Sequence, residues 1–260
     1  MIVASWNINS VRIRLEIFKS WVEKRKPSIV LLQEIKCESS EFPIDFFLGL
    51  GFESYVYGQK GRNGVAILVK ESFVKKTDEI TEVNLTDKLE ARVIKFFSKK
   101  INTTICNIYA PNGNPISDSQ KFSNKIKWYE KLKDLILPYI QNEEKIIIGG
   151  DFNVLENEKD VTNFYNWTND ALGSLIIRKK FREILGLGMV NIVRDFYQPG
   201  EKFSFWDYQK ASWERNDGLL IDHFLLSPNL LEKIKGFGID SEIRGFQRPS
   251  DHTPIWVDLI

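Results

Sequence analysis

The sequence predicts a layered α/β domain in which helices cover the faces of β-sheets. Two observations carry that expectation. Short apolar runs of strand length recur along the 260 residues, and several are apolar at every position, so both faces of those strands need cover. Segments with helical spacing of apolar residues lie between several of these runs.

The elements follow in order. MIVASWNIN (1–9) predicts the first strand. Residues 11–25 place Leu15, Phe18 and Val22 at helical spacing, and Pro27, which lacks a backbone N–H, ends that helix. Strands are predicted at SIVLLQE (28–34), GVAILVK (64–70), ARVIKFF (91–97) and TTICNIYAP (103–111). A second helix is predicted over 121–141, where Phe122, Ile126, Tyr129, Leu132 and Ile136 share one face. KIIIGGDFN (145–153) is the next strand, and a third helix over 171–186 closes at Gly186. LLIDHFLLS (219–227) and TPIWVDLI (253–260) complete the strands. The polar runs 81–88 and 156–170 read as surface loops. No Ser/Gly-rich linker, charge block or short-period repeat divides the chain, so one domain over 1–260 is the economical organisation.

Composition bounds the function. At 43% hydrophobic and 27% charged residues the chain has the balance of a folded globular protein, which argues against extensive disorder. The net charge of +1 means that a nucleic-acid partner would need a local basic face. Cys37 and Cys106 form neither a ligand spacing nor a disulfide framework, and His223 and His252 are the only histidines, which argues against zinc. A reducing, cytoplasmic setting is the simpler expectation, with no leader-like N-terminus and no apolar run of membrane-spanning length.

The polar residues at the ends of apolar runs are the main functional signal. WNIN ends on Asn7 and Asn9, and IVLLQE on Gln33 and Glu34. NIYAPNG ends on Tyr109 and Asn112, and IIIGGDFN on Asp151 and Asn153. Asp222 sits inside LLIDHFLLS, and Asp251 and His252 precede the last run. Each ending alone is usually a turn or cap residue. Six together suggest strand ends that converge on one cleft. Clustered carboxylates and amides without cysteine suit a hard cation, Mg²⁺ or Mn²⁺, and with His and Tyr they suit phosphoester hydrolysis. Asp151 and Asn153, two apart on an extended strand, are expected to face the same side.

At these residues the chain resembles the exonuclease III family of apurinic/apyrimidinic endonucleases, in the endonuclease/exonuclease/phosphatase superfamily. The matching segments run in order over nearly the whole length. They include SWNINSVRIRL (5–15), LLQEIKC (31–37), GRNGVAIL (61–68), NIYAPNG (107–113), GGDFNV (149–154), FSFWDY (203–208), IDHFLLS (221–227) and RPSDHTPIW (248–256). The resemblance implies a four-layer α/β sandwich, two packed mixed β-sheets flanked by helices, with the site at one edge. It implies that Asn7, Glu34, Asp151, Asn153 and Asp251 hold one or two divalent ions. Asp151 would activate or orient water, Asn153 and Tyr109 would contact the scissile phosphate, and His252 paired with Asp222 would present a proton or hydrogen bond to it.

The resemblance also implies a partner: double-stranded DNA with abasic sites or blocked 3′ ends, bound by a monomer. Lys60, Arg62 and Asn63 in QKGRNG, together with Arg92 and Asn112, would meet the backbone, and Trp206 would line the pocket for the base-free sugar. Departures from the family pattern are Asp217 and Leu220, where basic residues are usual nearby, and Asn191, where an acid is usual. Two alternatives stay open here. One is a phosphatase or phosphodiesterase of the same superfamily acting on a small or lipid phosphoester; the other is a catalytically impaired DNA-binding module.

Overall fold

The computed structural model describes residues 1–260. In chain order the first half comprises β1 (Ile2–Asn7), α1 (Leu15–Arg25), β2 (Ile29–Gln33), α2 (Ile44–Gly49), β3 (Phe52–Tyr57) and β4 (Val65–Lys70). The second comprises β5 (Glu79–Val83), β6 (Val93–Ser98), β7 (Thr103–Tyr109), α3 (Ser119–Gln141), β8 (Ile146–Asp151), α4 (Leu175–Leu185), β9 (Val190–Asn191), α5 (Val193–Phe196) and β10 (Asp222–Leu226). The chain ends with β11 (Ile234–Ile239) and β12 (Ile255–Leu259).

The strands form two six-stranded mixed sheets, ordered β11-β12-β1-β2-β4-β3 and β5-β6-β7-β8-β10-β9. Each sheet is built on one parallel pair, β1–β2 or β7–β8, and each pair is joined through a helix, α1 or α3. All other pairings are antiparallel. The orders β1-β2-β4-β3 and β7-β8-β10-β9 repeat one topology in the two halves.

Alternation along the strands sorts the core into layers. Ile146 and Ile148 join Trp128, Tyr129 and Leu132 of α3 and Ile177 and Phe181 of α4, while Ile147 points the other way into the space between the sheets. On the opposite side, Ala4, Val30 and Leu32 pack against Phe18, Trp21 and Val22 of α1. The inter-sheet layer holds Val3, Leu31, Ile67, Phe96 and Phe224. The architecture is therefore helix, sheet, sheet, helix. Each isoleucine of the triplet is completely buried, which stabilises the fold by roughly 1.5–3 kcal/mol per side chain.

Several expected boundaries shift. The expected loop over 81–88 begins inside β5, and β3, β9 and β11 were not expected. These four are the edge strands of the two sheets. Edges carry polar or glycine-containing sequences that resist pairing with other chains, so they lack the apolar runs that mark central strands. β5, EITEV, has no buried residue. The first expected helix starts with a 3₁₀ turn at Val11–Ile13 and becomes α-helical only from Leu15. The third starts at Leu175, where the Ser174 hydroxyl accepts the Ile177 N–H and caps it.

The run KIIIGGDFN also ends early. β8 stops at Asp151, and Asn153 is left-handed with φ 48°, so the two side chains do not share a face of one extended strand. The Asp151 carboxylate instead accepts the Asn153 N–H at 2.8 Å, closing a tight turn. The glycines before it permit close packing: a Cβ on Gly150 would lie 1.9 Å from the Ile108 carbonyl, and one on Gly149 2.4 Å from the Phe224 ring.

Candidate active site

The C-terminal ends of both parallel strand pairs open on one cleft. Asn7 ends β1, Glu34 follows β2, Tyr109 ends β7 and Asp151 ends β8. Asn7 lies at the centre. Its Nδ2 donates to Glu34 Oε1 and to Asp151 Oδ2, both at 3.0 Å, so these two acids from different sheets lie within about 6 Å of each other. Tyr109 Oη donates to Glu34 Oε1 at 2.8 Å. Glu34, like Asn153, has a left-handed backbone, φ 50°, which turns the chain sharply at the strand end.

The third group completes the cluster. His252 Nδ1 donates to Asp222 Oδ2 at 2.8 Å, and its Nε2 lies 3.7 Å from Asp151 Oδ2. Ser204 Oγ donates to the same Asp222 Oδ2 at 2.6 Å and accepts from the Asp222 N–H, which fixes that oxygen against the residue's own backbone. Asp222 pairs with Asp151 across β8–β10 and is buried behind the His252 ring, while Asp151 and His252 line the cleft. Asp251, on the other wall, accepts from Asn9 Nδ2 at 2.9 Å.

Burial and charge set the protonation states. Burial opposes the charging of His252, but Asp222 and Asp151 outweigh it and raise its pKa well above the usual imidazole range. That shift favours the imidazolium, in which both ring nitrogens are donors. Burial raises the Asp151 carboxyl, against the pull of His252 and the Asn7 amide. Burial also opposes the ionisation of Glu34, yet Lys36 at 2.8 Å and the Asn7 amide hold it below the usual carboxylate range. The Tyr109 phenol is pushed up by burial and then by Glu34, and stays a neutral donor.

The donor set fits a hard divalent cation. Glu34, Asp151 and Asp251 line one cleft of about 340 Å³ with no thiol present, and Asp151 also belongs to a tight group with Asp222 and His252, their ligand atoms within 4.8 Å of one another. Asn7 lies between the acids. Its oxygen accepts the Asn9 N–H, and its nitrogen faces the carboxylates, so it bridges them. Asn153 lies at the cleft with its Nδ2 donating to Ala110 O and Asp151 Oδ2.

The expected nucleic-acid contacts divide. Lys60 and Arg62 are exposed, and Arg62, Arg92 and Asn112 line a groove of about 790 Å³ beside the cleft. Within it Arg92 pairs with Glu90 at 2.6 Å and stacks on Tyr109. Asn63 is buried and donates to Gln59 Oε1, so it shapes its loop and is not presented to a ligand. Trp206 is a further correction: it is 2% exposed, stands edge-on to Trp213 and donates to Asn216. Its neighbour Phe205, edge-on to the His252 ring at 4.9 Å, does line the cleft, together with Trp167, Tyr109, Ile221 and Leu172. Alternation within FSFWDY carries that distinction, since adjacent residues of an extended segment face opposite ways.

The departures have local explanations. Leu220 is buried in the inter-sheet core, where a cation would have no partner, and Asp217 pairs with Arg215. Asn191 Nδ2 donates to Glu156 and to His223 Nδ1; an acid there would face Glu156 with like charge. Sequence reasoning missed Ser204, Lys36 and Lys125. Lys125 had a legible signal: it occupies the apolar stripe of α3 formed by Phe122, Tyr129, Leu132 and Ile136. Its ammonium is wholly buried, and burial pulls its pKa down to about 7 against Asp170 and Asp151.

Fold and cleft together define a hydrolytic phosphoesterase of two-sheet architecture. The family described as Endonuclease/Exonuclease/phosphatase matches residues 4–252, and the chain belongs to it. Exodeoxyribonuclease III of Haemophilus influenzae is 30% identical over 267 residues, 98% of each chain. Among solved structures, the 3′ phosphatase NExo from Neisseria, bound to a product DNA hairpin, superimposes with a TM-score of 0.91 at 30% identity, covering 100% of this chain and 99% of that one. An AP endonuclease from Archaeoglobus fulgidus gives 0.89 at 30% identity with the same coverage.

Proposed function

We propose that this chain is a divalent-metal-dependent DNA repair nuclease that hydrolyses the phosphodiester bond 5′ to abasic sites and trims 3′ ends of duplex DNA. The observation that carries the reading is the convergence of Glu34, Asp151 and the Asp222–His252 pair around the Asn7 amide. Relatives that act on DNA or on its 3′ ends support the substrate class. Mg²⁺ is the proposed ion, with Mn²⁺ able to substitute, and the whole chain acts as one catalytic domain, a cytoplasmic monomer. No helix is long and apolar enough to cross a membrane.

Glu34, Asp151 and Asp251 would hold the ion, which when bound neutralises these acids and the negative charge that builds on the phosphoryl oxygens. The protein groups do the rest. The Asp222 carboxylate keeps a proton on His252 Nδ1 and fixes the ring, so that Nε2–H is aimed into the cleft toward a phosphate oxygen. Asp151 in its carboxylate form takes the proton from water, its Oδ1 oriented by the Asn153 N–H. Tyr109 Oη and Asn153 Nδ2, which donate to Glu34 and Asp151 here, would transfer these hydrogen bonds to the phosphate when substrate binds. The apolar wall of Phe205, Ile221 and Leu172 excludes water and receives the base-free sugar.

The test is cleavage of a duplex carrying one tetrahydrofuran abasic analogue, with and without Mg²⁺, beside undamaged duplex and an inositol phosphate. Mg²⁺-dependent incision 5′ to the analogue is expected. Turnover of the inositol phosphate alone would move the chain to the small-phosphoester reading, and binding without cleavage would mark an impaired DNA-binding module.

A further inference from the structure

We propose that Lys125 is a positioning residue whose buried ammonium holds three loops of the cleft in register, a role that rests on the nuclease reading above. Nζ donates to the carbonyl oxygens of Asn153 (2.7 Å), Asn112 (2.8 Å) and Ala171 (3.3 Å). An ammonium has three donors, and all three are used. Each acceptor comes from a different segment: the loop after β7, the turn after β8 and the stretch before α4. These segments supply Asn112, Asn153, Asp170 and Leu172 to the cleft.

The arrangement is costly for a residue with only a packing role. Lys125 is 0% exposed. Asp170 and Asp151 act on it through space only, not as hydrogen-bond partners. Burying an ammonium without a contacting carboxylate is expensive, and its place on the α3 stripe suits a leucine or methionine. What the charge obtains there is the backbone of Asn153. With φ 48° that residue turns its carbonyl to Nζ while its N–H and side-chain amide face Asp151. The fit is close along the stem as well: a Cβ on Gly113 would lie 2.6 Å from Lys125 Cδ and 3.2 Å from the Ala171 Cβ. One nitrogen thus ties the Asp151 turn to both neighbouring loops, and the exposed cations of the DNA groove play no part in it.

The test compares Lys125→Met with the parent chain in two measurements: single-turnover cleavage of the abasic-analogue duplex in Mg²⁺, and affinity for the same duplex by anisotropy in EDTA. The expected result is a cleavage rate at least tenfold lower with duplex affinity within threefold of the parent. A folded Lys125→Met that cleaves within threefold of the parent rate overturns the role, and so does an equal loss in rate and affinity. If Lys125→Met does not fold, Lys125→Arg decides. Its planar guanidinium keeps the charge but cannot present three donors from one atom. A folded Arg variant at least tenfold slower with intact affinity upholds the role; one within threefold of the parent, or one that does not fold either, overturns it. Absence of cleavage by the parent chain would overturn the nuclease reading and this role with it.

Discussion

Replacing Asp151 by asparagine separates chemistry from stability at this site. The carboxylate accepts the Asn153 N–H at 2.8 Å, the Asn7 amide at 3.0 Å and the Asn153 amide at 3.3 Å, and it faces His252 Nε2 at 3.7 Å. Asparagine keeps one oxygen for the Asn153 N–H. Its NH₂ then faces two other amide nitrogens and an imidazolium, so about two hydrogen bonds are lost, each worth roughly 0.5–1.5 kcal/mol. Against that stands the raised Asp151 pKa, caused first by burial. A raised carboxyl contributes stability below the usual carboxylate range and loses it as pH rises through its elevated value. At pH 7.5 the buried charge therefore costs the fold free energy that asparagine relieves. The two effects oppose, and we expect a net change within about 2 kcal/mol, a Tm shift of no more than roughly 4–8 °C. Activity has no such offset, since loss of the proton acceptor costs about 10²–10⁴-fold in rate. The assay is single-turnover cleavage of the abasic-analogue duplex beside thermal denaturation of the same preparation. A rate within tenfold of the parent would refute the role of Asp151, and a Tm loss above 15 °C would refute the balance worked out for the buried charge.

Three further outcomes are expected. Glu34→Ala should raise the Mg²⁺ concentration for half-maximal cleavage at least tenfold, and an unchanged titration would remove Glu34 from the ion site. His223 is wholly buried, and burial lowers its pKa despite nearby Glu156. The unfolded chain therefore takes up a proton at about pH 6.5 that the fold refuses, which contributes a loss of stability below that pH of up to about 1.4 kcal/mol per unit, opposed by the gain from Asp151 over the same range. His223→Gln should remove that loss and turn the change in Tm from pH 7 to 5 toward greater stability at the acid end, and an unaltered slope would refute a contribution from His223. Gly150→Ala forces a methyl to 1.9 Å from the Ile108 carbonyl, so a destabilisation at or above the upper end of roughly 1–3 kcal/mol is expected. A folded variant with the parent Tm would refute the β7–β8 register.

The central strands were legible because a strand buried on both faces must be apolar throughout, and Ile146 to Ile148 or Val30 to Leu32 admit no other reading. The edges were not. FESYVY and EITEV are held by backbone pairing to one neighbour, and their side chains carry the charge that keeps an edge soluble. The acids of the cleft were legible through their place at strand ends, but the reason given for one pair was wrong. Asp151 and Asn153 meet through a left-handed turn that no periodicity reveals, because a strand pattern assumes that the strand continues. Phe205 and Trp206 show the converse: only the direction of each side chain separates a cleft wall from a core residue, and motif matching does not supply direction. Lys125 broke the pattern of its own helix, a charge where the stripe calls for an apolar residue.

The repeated topology explains why the site forms where it does. β1–β2 and β7–β8 are equivalent parallel pairs in the two halves, and parallel strands end together on one side, leaving polar backbone at a shared edge. Packing the sheets face to face brings the two edges into contact. Gln33 Nε2 donates across the interface to Asn107 Oδ1 at 2.7 Å, and Asn107 Nδ2 returns bonds to the Leu32 and Ala66 carbonyls, so the sheets are pinned at this end by buried polar groups. Every bond that joins Asn7, Glu34, Tyr109 and Asp151 either spans the paired strands of one half or crosses between halves. Neither sheet alone contains the cluster. Its geometry is therefore set by sheet packing as much as by the loops, and a group of like charges that would repel if mobile is held in place by two hydrophobic faces whose burial has already fixed their separation.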